Sequence, residues 1–526
     1  MMKVLVSDPL SEEGLKVLKE RGIKFDLKPK LPPDELKKII GEYQGLIIRS
    51  GTKVTAEVIN ACRDLKVIGR AGVGVDNVDI NAATKKGILV MNTPGGNTIS
   101  TAEHTVSMLL ALNRNIPQAN ISLKNGEWNR KKFMGVELSG KILGIIGLGR
   151  IGIEVAKRAN SFGMKIIAFD PFLSFEKAQQ HKVRLVELVE LFSQSDYITV
   201  HAPLSAETRH LLGKEQFEMM KKGVKILNCA RGGIVDEKAL YAAIDKGIVS
   251  GVALDVFEKE PAKDNPLVQL GCVVATPHLG ASTEEAQVNV AVEIAHQVAD
   301  VLQNTGIHNA VNFPSIAGET SKILNPYINL AEKLGSLQVQ ITSGHITKLN
   351  IKYGGDIVNY ALEPVTIALI KGLLTPILQE SINYVNAQVI AKERGIVVSE
   401  TKVLETEQFA NLISVEIETN KGKSFVAGTL FTKSTPRIVR INGFYTDIIP
   451  SGYILITHNL DRPGTVGKIG TILGDNNVNI AAMNFGRTSP GGKSIIVLNI
   501  DHNLTNEVVS QIKAIDNILD VKLVEL

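Results

Sequence analysis

Cysteine is scarce. Cys62, Cys229 and Cys272 are the three in 526 residues, far apart and with no C-x-x-C pair. That spacing argues against a disulfide framework and against a zinc knuckle, and no His/Cys/carboxylate cluster suggests a metal site. Neither sign of charge is in excess: 58 Lys+Arg face 54 Asp+Glu, leaving +4, which is not the footprint of a nucleic-acid binder. Long apolar runs are missing too. No stretch reaches the roughly 18 residues a membrane span requires, and the opening MMKVLVSDPL is broken at Asp8-Pro9 before it could serve as a secretory leader. A cytoplasmic protein without membrane or nucleic-acid partners is expected. Aromatic residues make up 5%, with one Trp, against 46 Gly, a balance that suits an α/β enzyme better than a β-sandwich. At about 150 residues per domain the length predicts roughly three or four domains.

Short apolar runs alternate with helical patterns through the first half. MKVLVS (2–7), LIIRS (46–50), KVIGR (66–70) and ILVMN (88–92) read as strands of a parallel sheet. Ser11 reads as the cap of a helix over 11–21, and Ser100 with Glu103 as a capping box opening a helix over 100–113. IIAFDP (166–171), YITVHAP (197–203), KILNCARGG (225–233) and VALDVF (252–257) continue a doubly wound sheet. A long amphipathic helix follows Thr283. Pro314 and Gly318 mark one boundary, and Gly443–Gly452 (GFYTDIIPSG) a second. Between them lies a mixed segment with no ligand motif, in which Lys322, Lys348 and Lys371 stand out by charge alone. The last 75 or so residues alternate β-α-β-β-α-β, the ferredoxin-like order.

Gly147-Leu148-Gly149-Arg150-Ile151-Gly152 is a G-x-G-x-x-G element between an apolar strand and a helix, and Asp170 ends the next strand. This is the context of a dinucleotide fingerprint. The glycines admit a pyrophosphate to the helix N-terminus. Asp170 would accept from the adenosine ribose hydroxyls and repel a 2′-phosphate, which favours NAD over NADP.

Four residues stand just after strands in the same region: Arg231, Asp255, Glu260 and His278. Strand carboxyl ends face the ligand crevice of such a sheet. Oxidising a secondary alcohol needs a base near neutrality, and His supplies one. A neighbouring carboxylate fixes its tautomer, and a guanidinium grips a carboxylate in a bidentate manner. Position alone leaves open that Arg231 and Glu260 belong to structural ion pairs.

GLGRIG with Asp170, NCARGGIVDE (228–237), ALDVFEKEP (253–261) and TPHLGAST (276–283) together resemble the D-isomer-specific 2-hydroxyacid dehydrogenases. SGTKVT (50–55), AGVGVDNVD (71–79) and KNGEWNRKKFMG (124–135) narrow the resemblance to the branch acting on 3-phospho-D-glycerate at the head of serine synthesis. The resemblance implies a Rossmann-type doubly wound NAD domain (98–282) inserted in a flavodoxin-like substrate domain (1–97 and 283–317). An α+β intervening domain (318–451) and a ferredoxin-like ACT domain (452–526) follow. It implies His278 as acid/base, Glu260 as its partner and Arg231 as the substrate-orienting cation. Arg150 and Ile151 would hold the pyrophosphate, Asp170 the ribose and Asp255 the nicotinamide amide. Val73, Ala202, Cys229, Ala230, Gly280 and Ala281 would line the cofactor cleft. Gly72, Val73 and Gly74 would cradle the substrate carboxylate, beside Ser50 and Asn97.

A phosphorylated acid needs extra positive charge. Arg49 is placed for it, and Arg130 or Lys132 would supply it in trans across a dimer interface, unless 130–132 is only a solvated face. In the ACT-like segment, HNLDRPGTVGKIG (458–470) and GDNNVNIAAMN (474–484) imply that Asn459, Asp461 and Asn479 contact an effector, L-serine, between paired domains. A pairing module without a ligand is the other reading. The implied assembly is a homotetramer. Two further functions stay open at this point: a glycerate or hydroxypyruvate reductase of the same family, and an NAD-sensing binding protein.

Overall fold

Apolar runs without polar alternation belong in strands covered on both faces, and the computed structural model puts them there. It describes residues 2–314, 319–378, 382–406 and 408–526, so Gly318 of the first boundary lies outside the described residues. The first sheet is parallel, built from β1 (Lys3–Val6), β2 (Lys24–Leu27), β3 (Gly45–Ile48), β4 (Val67–Arg70) and β5 (Leu89–Met91) in the order β2-β1-β3-β4-β5. That is the flavodoxin-like order. Ser11 caps the helix Glu12–Glu20 by accepting from Gly14 N. One face of the sheet is covered by a segment distant in sequence, the helix Glu284–Leu302 capped by Thr283. Its Val298 and Ile294 press on Gly69, where an added Cβ would sit 2.6 and 2.8 Å from them.

The second sheet is also parallel. It comprises β6 (Ile142–Ile146), β7 (Lys165–Phe169), β8 (Arg184–Leu185), β9 (Tyr197–Val200), β10 (Val224–Asn228), β11 (Val249–Leu254) and β12 (Val273–Ala275), ordered β12-β11-β10-β9-β6-β7-β8. The strand order reverses between β6 and β9, the topological switch point where doubly wound sheets bind ligands. The helix Thr98–Arg114 covers one face. It begins before the expected capping box: Asn97 is the cap residue, and the Ser100 hydroxyl, already inside the first turn, donates back to Asn97 O. Glu103 is therefore free of any capping duty and pairs with Arg158.

The third sheet orders β14 (Val397–Val403), β13 (Ile346–Gly355), β15 (Asn411–Thr419), β16 (Gly422–Leu430), β17 (Pro436–Ile441) and β18 (Phe444–Ile448). The second boundary is shorter than GFYTDIIPSG suggested, because Phe444–Ile448 pairs antiparallel with β17 and Ile449–Gly452 alone makes the link. The fourth sheet, β20-β21-β19-β22, comes from β19 (Tyr453–Leu460), β20 (Ile480–Arg487), β21 (Lys493–Ile500) and β22 (Ile518–Glu525), with helices Thr465–Asp475 and Asn506–Lys513 on one face. Its other face shares a core with the helix Glu319–Ile341 of the preceding lobe: Ile454, Ile456, Val497 and Val524 pack with Leu330, Leu334 and Leu337.

The third lobe also grips the first. Asn383 Nδ2 donates to Gly87 O at 2.8 Å, Val385 enters the core beneath β5, and Lys85 pairs with Glu393. Gly87 has φ +72°, and a Cβ there would lie 2.2 Å from Asn383. Lys371, notable in the sequence for its charge, is spent inside this lobe on Glu332, which also accepts from Tyr384. Among the described residues no helix is long and apolar enough to cross a membrane.

Candidate active site

The Gly-rich turn joins β6 to the helix Arg150–Ser161. Two of its glycines are there for want of room. A Cβ on Gly147 would lie 2.6 Å from His201 O, and one on Gly152 would lie 2.2 Å from Gly147 O. Gly149 faces open space instead, with nothing within 4 Å. It is the N-cap of the helix and offers no side-chain cap. The first-turn N–H groups are therefore left for an anion, with the positive end of the helix dipole behind them. Asp170, at the end of β7, accepts from Leu148 N at 2.8 Å and from Phe172 N and Leu173 N. Those bonds fix the carboxylate beside the turn. An open glycine, uncapped donors and an anchored acid at the switch point fit a dinucleotide. Ala202 follows β9 and Cys229–Ala230 follow β10 in the same crevice. Burial pushes the Cys229 thiol up to about 12, so it stays protonated, packed in the core behind the sheet edge.

His278 sits just beyond β12 in a left-handed conformation, φ +57°, which costs a non-glycine residue about 1–2 kcal/mol. Asp255 holds that turn in place. Its backbone O accepts from His278 N at 2.9 Å, Oδ1 accepts from Leu279 N at 2.7 Å, and Oδ2 accepts from Gly280 N at 2.9 Å. Thr276 Oγ1 also donates to Oδ1, at 2.6 Å, and His104 Nε2 approaches it at 3.2 Å. Asp255 is fully buried, and these donors hold it below the usual carboxylate range against the opposing cost of burial. The carboxylate expected to meet a nicotinamide amide is thus engaged within the chain, as a staple for the His278 turn.

His278 Nδ1 lies 3.0 Å from Glu260 Oε2, and Glu260 Oε1 accepts from Phe257 N. The hydrogen bond that Nδ1 donates to the Glu260 carboxylate raises His278 above its ordinary value, and the same bond lowers Glu260. Nε2 is left for the cleft. That cleft, of about 410 Å³, is lined by Arg49, Ser50, Gly72, Val73, Gly74, Asn97, Arg231, Glu260, His278 and Ala281, so one concavity gathers the residues named for substrate and proton transfer. Asn97 Oδ1 is buried there without a partner. Arg231 Nη1 donates to Ala230 O at 2.7 Å.

Other expected residues do not join them within one chain. Arg130 and Lys132 lie on an exposed turn outside the cleft lining, beside Trp128 and Met134, which are 79% and 78% exposed. Asn459 and Asp461 stand at the end of β19, whereas Asn479 precedes β20, at the opposite end of the fourth sheet. Asn459 is buried and donates to Ser494 Oγ, Asp461 accepts from Arg487 Nη1 at 3.0 Å, and Asn479 donates to Asp501. A joint site needs two copies of this sheet.

The structure adds residues that sequence reasoning did not single out: Arg70, Asp76, His104 and Thr276. Arg70 ends β4 and lines the cleft, its Nε buried without a partner. Burial brings it down to about 10, and the neighbouring Arg231 adds to the effect. Its signal was the charge closing the apolar run KVIGR. Asp76 Oδ2 reaches Arg231 Nε at 3.4 Å.

Comparison with known proteins gives three family matches. Residues 106–280 match the D-isomer specific 2-hydroxyacid dehydrogenase NAD binding domain, 323–442 the D-3-phosphoglycerate dehydrogenase intervening domain, and 453–517 the ACT domain. D-3-phosphoglycerate dehydrogenases of Archaeoglobus fulgidus and Methanocaldococcus jannaschii are each 47% identical, over 100% of this chain and 100% of theirs. Among solved structures, a D-lactate dehydrogenase from Aquifex aeolicus complexed with NAD and lactic acid matches with a TM-score of 0.53 and 29% identity, over 60% of this chain and 100% of that one.

Proposed function

We propose that this chain, which belongs to the D-isomer specific 2-hydroxyacid dehydrogenase family, is an NAD-dependent oxidoreductase that oxidises 3-phospho-D-glycerate to 3-phosphohydroxypyruvate, the step that opens L-serine formation. The observation that carries the reading is the His278–Glu260 pair at 3.0 Å on a cleft ringed by Arg49, Arg70 and Arg231. Full-length likeness to D-3-phosphoglycerate dehydrogenases supports the substrate.

His278 Nε2 takes the proton of the C2 hydroxyl, and Glu260 stabilises the imidazolium that results. Arg231 and the backbone N–H groups of Gly72–Gly74 hold the carboxylate and polarise the C2 oxygen. Arg49 and Arg70 supply charge for the phosphate, and Arg130 or Lys132 of a second copy adds to it. NAD, held at Gly147–Gly152 and Asp170, supplies the hydride acceptor. Residues 1–97 with 283–317 form the substrate domain, 98–282 the NAD domain, 318–451 the intervening domain and 452–526 the ACT domain. L-Serine binds between paired ACT domains of a homotetramer, through Asn459 and Asp461 of one copy and Asn479 of the other. We place the reaction in the cytoplasm, where three unpaired cysteines stay reduced.

An NADH absorbance assay with 3-phosphoglycerate, then with glycerate, tests the substrate. Arg49→Gln is expected to raise KM for the phosphorylated acid and to leave glycerate little changed. Equal or better kcat/KM for glycerate in the wild type would refute the assignment and favour the reductase. Unchanged KM after both Arg130→Ala and Lys132→Ala would remove the contribution in trans.

A further inference from the structure

We propose that Asp76 is a positioning residue for Arg231: from the opposite wall of the cleft it holds the Nε edge of the guanidinium, so that the remaining N–H groups are aimed at the Gly72–Gly74 turn. This rests on the reading of Arg231 as the group that grips the substrate carboxylate.

The two residues belong to different lobes. Asp76 lies on the loop after β4, and Arg231 follows β10. Both backbones are pinned. On one side, Asn77 Nδ2 donates to Arg49 O at 2.7 Å and Thr52 O at 2.6 Å, Asn92 Nδ2 donates to Val73 O at 2.6 Å, and Val54 bridges to Val78. On the other, Asn228 Nδ2 donates to Arg231 O at 2.9 Å, and its Oδ1 accepts from Ala230 N. Between these fixed points Nη1 of the guanidinium donates to Ala230 O at 2.7 Å, and Nε forms an ion pair at 3.4 Å with Asp76, whose side chain is 71% exposed. The third nitrogen, Nη2, lies against Gly74, where an added Cβ would sit 2.2 Å away.

Charge gives Asp76 its importance. Arg49 and Arg70 line the same cleft and Arg70 repels Arg231, while the other acid of the lining, Glu260, is taken by His278. Asp76 is the remaining carboxylate of the lining beside Arg231 and Arg70, whereas Asp8, outside the lining, offsets Arg49 and Arg70. Without it, Arg231 keeps a single tether at one corner, Nη1 to the Ala230 carbonyl, about which the fork can turn away from the like-charged Arg70. A group that must present a planar fork in register loses much of its value through a small rotation.

The test uses the full chain in two arms. The first is turnover of 3-phosphoglycerate. The second is fluorescence titration of the NADH-loaded protein with oxalate, a probe of carboxylate binding that needs no chemistry. For Asp76→Asn, kcat/KM falls about 10–100-fold, oxalate Kd rises about tenfold, and NADH affinity is unchanged. Asp76→Glu restores most of both losses. In an Arg231→Lys background, Asp76→Asn has little further effect on oxalate, because the residue acts through the guanidinium. Oxalate binding as tight as or tighter than wild type in Asp76→Asn would overturn the proposal and make Asp76 a competitor of the substrate. Fully additive losses in the double variant would also overturn it. Absent wild-type turnover would sink the assigned substrate, while oxalate would still read the role of Asp76.

Discussion

Asp255→Asn is nearly isosteric, yet it strikes the turn that carries the base. In the native turn one carboxylate oxygen accepts from Thr276 Oγ1 and Leu279 N, and the other from Gly280 N at 2.9 Å. The asparagine carbonyl can keep the first set. Its NH2 must then face the Gly280 N–H, donor against donor, in a fully buried place. One buried N–H is orphaned, and the charge assistance to the others is lost, a cost of about 2–4 kcal/mol. A chain of several lobes has no single unfolding equilibrium, so the readout should be local. Hydrogen exchange at Leu279 and Gly280 should speed up about 30–1000-fold, the kinetic equivalent of that free energy. As His278 N also bonds to Asp255 O and its backbone is left-handed, the loosened turn should lower kcat about tenfold or more. Native protection of Gly280 together with native kcat would refute the staple.

Further expectations concern pH, the Gly-rich turn and the effector site. Oxidation requires neutral His278, whose value is raised by its bond to Glu260, so kcat/KM should climb with pH through a midpoint above the ordinary His value of about 6.5. In Glu260→Gln the climb should move to lower pH and kcat should fall; an unmoved midpoint in a pH-rate profile would contradict the pairing. The stabilisation from raised His278 is full below its unfolded value and is lost as pH rises through the folded one. Gly152→Ala places a Cβ 2.2 Å from Gly147 O and should weaken NADH binding about 10–100-fold, as read by fluorescence titration. At the proposed serine site, Arg487→Ala removes the charged partner of Asp461 and leaves it the Gly491 N–H, so serine should inhibit at lower concentration; an unchanged dose response would remove Arg487 from that site.

Much of the site was readable because its members punctuate strands. Gly147–Gly152, Asp170, Arg231 and His278 each follow an apolar run, and a parallel sheet delivers all such positions to one edge. What escaped was pairing across sequence distance. Asp76 meets Arg231, and His104 meets Asp255 and Thr276, but nothing local marks Asp76 apart from other loop acids or His104 apart from other polar residues of an amphipathic helix. Ser100 and Glu103 had capping-box spacing, yet the helix began two residues before Ser100, after an Asn97 whose side chain makes no capping bond, so Ser100 fell inside the first turn and donates back to Asn97 O. Phe444–Ile448 looked like a linker between Gly443 and Gly452. Its strand character comes from the partner edge of β17, which no local pattern reveals.

The grip of Asn383 and Val385 on Gly87 and the core beneath β5 bears on modularity. A fragment ending after the helix Glu284–Leu302 would keep both parallel sheets and the cleft, yet it would bare the apolar seat of Val385 and strip a partner from the Gly87 carbonyl. Excision of the later lobes therefore leaves a sticky scar on the catalytic half. A minimal enzyme cut from this chain would need polar replacements around that seat before it could be handled as a free-standing piece.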